Sequence, residues 1–347
     1  MIVGIIANPV SARDIRRVIA NAACMTIADR SNIVLRVMAS LGSCGVSKVL
    51  MMPENGGISR HLSRSLKHEK KLGHVDFPSL DYTDTPVNGS VEDTFAATQA
   101  MVQEGVEAII VLGGDGTHRA VAKYCGQVCL AGISTGTNNA FPEQRESTIT
   151  GLAVGLAATG KIPPEIAVSQ NKMLRVEKNE GEKSDIAIVD VTVTTDRFKG
   201  TRALWRSDNF RELFVTYADP EVIGLSAIAG ILRPVGRQEP IGLYVTLQSP
   251  EIAQTVIQVP IAPGLIKPVG VQNFEKISSK ETIPISSVSG MIALDGEREI
   301  DFGPGDQVKV TLVENAFKTI NVSACMHYAV KAGQFRACVE SINPNEL

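Results

Sequence analysis

The sequence predicts an α/β N-terminal domain with a mostly parallel sheet, a β-rich C-terminal domain, and a C-terminal helix that packs back on the first domain. Apolar strand runs alternate with helical segments as far as about residue 160, and such alternation implies crossovers and a parallel sheet with helices on both faces. Pro163-Pro164 then interrupts the chain, and short runs rich in β-branched residues follow. From Ser323 to about Ile342 the helical pattern resumes.

In order, Ile2–Ala7 reads as a buried strand and Ile15–Ala23 as a helix. Lys48–Met52 is the second strand, followed by a polar stretch to Lys71 that opens at Pro53-Glu54-Asn55-Gly56-Gly57. Asp81 to Gly89 reads as a loop leading into a helix over Val91–Glu104, with Ser90 in position to cap it. Ala108–Leu112 and Val128–Ile133 are the third and fourth strands, and Thr148–Thr159 is a small-residue helix stopped by Gly160. Beyond the prolines, strand patterning falls on Met173–Glu177, Ile186–Thr194, Leu243–Gln248, Thr255–Val259, Gly290–Leu294 and Gln307–Val313. Turns such as Gly303-Pro304-Gly305-Asp306 separate these runs, and Ser323 is placed to cap the last helix. The expected division is residues 1–163, with the return segment 322–347, as an α/β nucleotide-binding domain. Residues 164–321 form a β-rich domain for substrate binding or oligomerisation.

A chain of 347 residues accommodates two domains of ordinary size. Its 44% hydrophobic and 20% charged residues fit a globular protein, and a net charge of −3 without a basic stripe among aromatics disfavours nucleic acid as a partner. The densest basic segment, Arg60 to Lys71, also carries Glu69 and reads as a solvated helix face. Met1–Ala7 enters a strand pattern without a cationic leader, and no apolar run reaches spanning length, so neither a signal peptide nor a membrane partner is expected. The six cysteines are scattered without zinc spacing, which suits free thiols in a reducing cytoplasm.

Chemistry concentrates where strands end. Ala108–Leu112 runs into Gly113-Gly114-Asp115-Gly116-Thr117. Those glycines bare their backbone N–H groups to a phosphate, and a helix from Thr117 to about Gly126 would aim its positive dipole end at the same anion. Asp115 can bind a metal or accept the proton of an attacking hydroxyl. Asn8-Pro9-Val10-Ser11 follows the first strand and Ser134-Thr135-Gly136-Thr137-Asn138-Asn139 ends the fourth, so an α/β domain brings all three to one edge. The β-rich half adds Ile292-Ala293-Leu294-Asp295-Gly296-Glu297. If the halves face each other, Asp295 and Glu297 share a cleft with Asp115, and carboxylates near a triphosphate suit Mg²⁺, with Asp295 as the metal ligand. His118 reads as a polar residue of the first helical turn, and Arg202 with Trp205 as either a packing or a binding pair.

These four pieces, in this order, resemble the superfamily of NAD kinases and diacylglycerol/sphingosine-type lipid kinases, whose shared hallmark is the GGDGT loop. Asn8–Ser11 looks like the family's NPxSG nucleotide loop, with Ala12 where glycine is usual, and Asp295-Gly296-Glu297 is similar to its DGE element. The segments 132–142, 200–205, 223–230 and 294–299 extend the likeness to the acetoin-catabolism protein X branch, an ATP-NAD kinase-like group found beside acetoin dehydrogenase genes. The resemblance runs from Gly4 to about Val330.

It implies a NAD kinase-like fold and a kinase that uses ATP and Mg²⁺ to phosphorylate the adenosine 2′-hydroxyl of NAD⁺. Asp115 would then accept the hydroxyl proton, with Glu297 as the competing base. Gly113, Gly114, Gly116 and Thr117 would hold phosphates, and Asn8 and Ser11 would line the nucleotide. Thr135, Gly136, Thr137, Asn138 and Asn139 would touch the second substrate or a ribose. No convincing Asn-Glu or Asn-Asp pair for reading the adenine of NAD is present; Asp190, Asp196 and Asp208-Asn209 are loose candidates. The alternatives are another small alcohol or lipid as acceptor, or a nucleotide-binding regulatory or accessory protein of an acetoin-type operon. The resemblance also implies a homo-oligomer, a dimer or tetramer.

Overall fold

The most continuously apolar runs become the central strands, as expected where a parallel sheet is buried on both faces. The computed structural model describes residues 1–9, 25–73, 76–135, 139–195 and 209–336. The helix expected over Ile15–Ala23 lies outside these residues, as do Ser11, Ala12, Gly136, Thr137, Asn138, Asp196, Arg202, Trp205 and Asp208.

The first half alternates β1 (Ile2–Ala7), α1 (Ile27–Ser43), β2 (Lys48–Met51), α2 (Ile58–Leu72), β3 (Ser79–Tyr82) and α3 (Val91–Gln103). It continues through β4 (Ala108–Gly113), α4 (Asp115–Ala122), β5 (Cys129–Ser134), α5 (Ser147–Ala158) and the short α6 (Pro164–Ala167). Strands then dominate: β6 (Val168–Lys178), β7 (Lys183–Ala187), β8 (Asp190–Thr194) and β9 (Phe210–Val215). After α7 (Ser226–Leu232) come β10 (Ile241–Gln248), β11 (Thr255–Ala262), β12 (Leu265–Ser278) and β13 (Thr282–Pro284). The chain ends through β14 (Gly290–Leu294), β15 (Glu297–Phe302), β16 (Val308–Ile320) and α8 (Val322–Lys331). No helix among the described residues is long and apolar enough to cross a membrane.

Two sheets result. The first runs β3-β2-β1-β4-β5-β16-β6-β7, with β13 beside β16; it is parallel from β3 to β16 and antiparallel beyond. The second, β11-β12-β10-β9-β8-β14-β15, is antiparallel throughout. The first sheet therefore crosses the boundary expected at residue 163. Its strands β6, β7 and β16 come from the 164–321 stretch, because β16 returns to pair with both β5 and β6. Leu174, Val176, Val310 and Leu312 on those strands pack against Val191, Val193, Phe214, Ile292 and Leu294 of the second sheet. α8 does return to the first half: Val322, Cys325 and Ala329 join the core of Val3, Ile5, Ile110 and Leu112.

Several local expectations change. α1 was not anticipated, although its capping box is legible, with the Asp29 N–H donating to Thr26 Oγ1 and the Thr26 N–H to the Asp29 carboxylate. The loop expected from Asp81 begins as β3, and the run Ile186–Thr194 is two strands broken at Ile188-Val189. Ser90 occupies the N-cap of α3 without a side-chain bond, while Asp93 reaches back to the N–H groups of Asn88 and Gly89. Asn321 rather than Ser323 caps α8, accepting from the Ala324 N–H, and the helix ends at Lys331.

Candidate functional site

The strand order reverses between β1 and β4, so their carboxyl ends flank a crevice of the kind that binds ligands in open α/β sheets. Asn8 leaves β1 there, its N–H donating to Leu112 O at 3.4 Å and its carbonyl accepting from Arg30 of α1. On the other side β4 passes through Gly113 and Gly114 straight into α4. Both glycines are enforced by close approach. A β-carbon at Gly113 would lie 2.5 Å from Thr117 Cβ, and one at Gly114 2.9 Å from Asn139 Oδ1. The Thr117 N–H donates to Gly114 O at 3.0 Å and closes the first turn of α4.

Asp115 opens α4 and is 9% exposed. Its Oδ2 accepts from the Ala140 N–H at 3.0 Å and its Oδ1 from the Phe141 N–H at 2.9 Å, fixing the plane of the carboxylate. The loop that supplies these amides begins beside the glycine turn, where the Thr135 N–H donates to Gly113 O and Asn139 Nδ2 to Ser134 Oγ at 2.8 Å. Thr135, Asn139 and Asn8 thus gather at the GGDGT turn as expected.

The β14–β15 hairpin reaches the same place from the second sheet. Its two-residue turn has φ of 50° at Asp295 and 79° at Gly296, the left-handed pair that Asp-Gly tolerates best. Glu297, half-buried, lies beside α4: a β-carbon on Gly116 would sit 3.3 Å from its Oε1. Asp295 turns inward instead. Its carboxylate accepts from the N–H groups of Ile188, Val189 and Asp190, the break between β7 and β8, at 2.8 to 3.2 Å.

Arg119, one turn beyond Asp115, ties these parts together. Its guanidinium is 3.0 Å from Glu299, 3.7 Å from Asp295 and 3.8 Å from Asp185. Burial works against its charge, but Asp295, Asp185 and Glu299 outweigh that and hold the pKa above its ordinary value. Burial pushes the Asp295 carboxyl up to about 7; Arg119 and the strand amides oppose the shift, and Asp115 adds to it. Sequence reading missed Arg119, although its place four residues after Asp115 on a helix put both on one face.

Asp295 does not suit the metal role expected of it, because its side chain is fully enclosed and its oxygens are committed to three amides and a guanidinium. Among the described residues no group of three or more His, Cys, Asp or Glu side chains is arranged as a ready-made metal cage. Glu297 is the half-exposed acid beside the glycine turn, and Mg²⁺ in phosphoryl-transfer sites commonly takes one or two carboxylates together with substrate phosphates. His118 is fully buried with Nδ1 2.9 Å from Gly114 O, and burial lowers its pKa to about 4. It lies in the first turn of α4 as expected, packed against Phe141.

Residues 3–162, the stretch that carries the glycine turn, match the family model of the ATP-NAD kinase N-terminal domain. Residues 172–315 match the model of the acetoin catabolism protein X C-terminal domain. Over 335 residues the chain is 52% identical to Acetoin catabolism protein X of Cupriavidus necator, covering 94% of this chain and 92% of that protein. The chain belongs to the acetoin catabolism protein X family. A solved structure, yeast NADH kinase complexed with NADH, is similar at 12% identity with a TM-score of 0.48, covering 99% of this chain and 90% of that one.

Proposed function

We propose that the protein transfers the γ-phosphoryl group of ATP to the 2′-hydroxyl of the adenosine ribose of NAD⁺, giving NADP⁺ and ADP. The observation that supports this reading best is Asp115: a carboxylate at the first residue of a helix, behind a glycine turn, its plane set by the Ala140 and Phe141 amides. The hydroxyl oxygen attacks the γ-phosphorus, the bond to the β–γ bridging oxygen breaks, and the hydroxyl proton passes to Asp115. The glycine-turn amides and the α4 dipole steady the phosphates, and positioning carries most of the catalysis. Glu297 is the carboxylate that would hold Mg²⁺ against those phosphates, where the ion neutralises their charge. Asn8 lines the nucleotide, and Thr135 and Asn139 border the acceptor. The expected homo-oligomer would need an apolar surface, and Val256 on β11 and Ile266 on β12 are exposed.

A second reading keeps the phosphoryl transfer and changes the acceptor to another small alcohol. Asp190, one candidate for reading adenine, is 5% exposed and joined through its backbone to Asp295, which favours that alternative. Purified protein with Mg-ATP and a panel of NAD⁺, NADH and small alcohols, assayed for ADP and NADP(H), separates the two. NADP(H) formation supports the first reading, and ADP release without it moves the acceptor. Nucleotide binding with no turnover on any acceptor would point to a regulatory role.

A further inference from the structure

The peptide group that orients Asp115 is itself held from behind. Arg237, in the loop between α7 and β10, donates from Nη2 to Ala140 O at 2.7 Å. Its guanidinium lies 4.5 Å from the centroid of the Tyr217 ring and 5.2 Å from that of Phe141. Ala140 C=O and Phe141 N–H belong to one peptide plane, and a trans peptide points them in opposite directions. Arg237 and Asp115 therefore grip opposite edges of the same rigid unit. A tilt of that plane cannot loosen one contact without disturbing the other. A guanidinium on the carbonyl also polarises the amide, which strengthens the N–H bond to the carboxylate.

The loop bearing Arg237 is fixed in turn. Lys172 on β6, 6% exposed, donates from Nζ to the carbonyls of Gly236 at 3.2 Å and of Glu239 and Ile241 at 2.6 Å. The Gly236 N–H closes the turn on Glu239 Oε1 at 2.8 Å. This three-carbonyl anchor fixes the loop from which Arg237 reaches Ala140.

We propose that Arg237 is a positioning residue of the phosphoryl-transfer site, acting through the Ala140–Phe141 peptide on the Asp115 carboxylate. This rests on the assignment of Asp115 as the proton acceptor. In this role Arg237 acts through the peptide it holds, so its removal is expected to lower turnover rather than nucleotide affinity.

The test compares Arg237→Ala, Arg237→Lys, Asp115→Asn and the Asp115→Asn/Arg237→Ala double variant, with backbone amide exchange followed at Ala140 and Phe141. Arg237→Ala is expected to lower kcat about 10- to 100-fold, as a misplaced catalytic group does, with KM for ATP within about 2-fold. Arg237→Lys, which keeps a cationic donor, is expected to recover part of the loss, and it carries the test if the alanine variant does not fold. The double variant is expected to turn over no more slowly than Asp115→Asn alone, since residues acting as one unit are non-additive. Exchange at Ala140 and Phe141 should quicken about tenfold in Arg237→Ala while β1 amides keep their rates.

Unchanged kcat with unchanged exchange overturns the proposal, as does a full additional loss in the double variant. If Asp115→Asn keeps wild-type turnover, the Asp115 assignment fails. The exchange result then decides whether Arg237 holds the peptide, and unaltered exchange rejects that too.

Discussion

Two strands of this molecule run into a turn containing Asp-Gly, one in each half, and the two aspartates end in different circumstances. After β4 the chain continues into a helix, so Asp115 stands at the helix start, at the open edge of a parallel sheet, oriented by two amides from a neighbouring loop. After β14 it doubles back through a left-handed turn, and Asp295 is tucked under the hairpin against three amides and Arg119. The direction of the chain after the turn decides what the carboxylate is for. A helix start leaves Asp115 at the end of β4, where the proposed transfer would use it; a tight hairpin turns Asp295 into a strut that carries the next acid, Glu297, to the first turn of α4.

The sharpest way to break this contrast is to neutralise each acid in turn. Asp115→Asn is expected to lose turnover by about 10²–10⁴-fold while keeping its fold and nucleotide binding. Near-wild-type turnover in that variant would remove the base from Asp115. Asp295→Ala should act on the fold instead, by about 1–3 kcal/mol for each buried strand N–H left without an acceptor, while Arg119 keeps Glu299 and Asp185. Its denaturation midpoint is the measurement, and an unshifted midpoint would make Asp295 no strut.

Glu297→Gln is expected to cost less than the ~10²-fold minimum typical of a general base. A loss equal to that of Asp115→Asn would transfer the base to the hairpin. The mildest effect is on pH dependence. With its pKa raised from 3.8 to about 7, the Asp295 carboxyl binds more protons in the folded than in the unfolded chain across that window. Its contribution is complete below the lower value and lost as pH rises through the upper one. Unfolding midpoints taken from pH 4 to 7 should therefore carry a falling component that Asp295→Asn removes.

Much of this was legible in the sequence where chemistry is local. β1, β4 and β5 announce themselves as unbroken apolar runs, and the two turns are marked by Gly113 and Gly114, which close approach enforces, and by Gly296 with its left-handed φ. α1 was missed because its inward face includes Arg30, Ser31 and Ser40, which interrupt the apolar period. β12 was missed for the opposite reason: an irregular partner strand tolerates Pro268 and Gly270 beside a stretch of exposed residues from Gln272 to Lys276. The enclosure of Asp295 was out of reach, since its three donors lie more than a hundred residues earlier in the chain. Lys172 and Arg237 gave no local signal either. Each is a single cation in an ordinary setting, and only the fold brings the two together.

The first sheet takes β6, β7 and β16 from the later half of the chain, and that has a mechanical consequence. A linker would let the two halves swing about a hinge near residue 163 and close on a substrate like jaws. A shared hydrogen-bonded ladder forbids that rotation without tearing β16 from β5 or β6. On the proposed function, substrates would then enter and leave by rearrangement at the rim, over a floor held by that pairing. Changes to the floor at β5, β6 or β16 should then register as stability, and changes to the rim as rate.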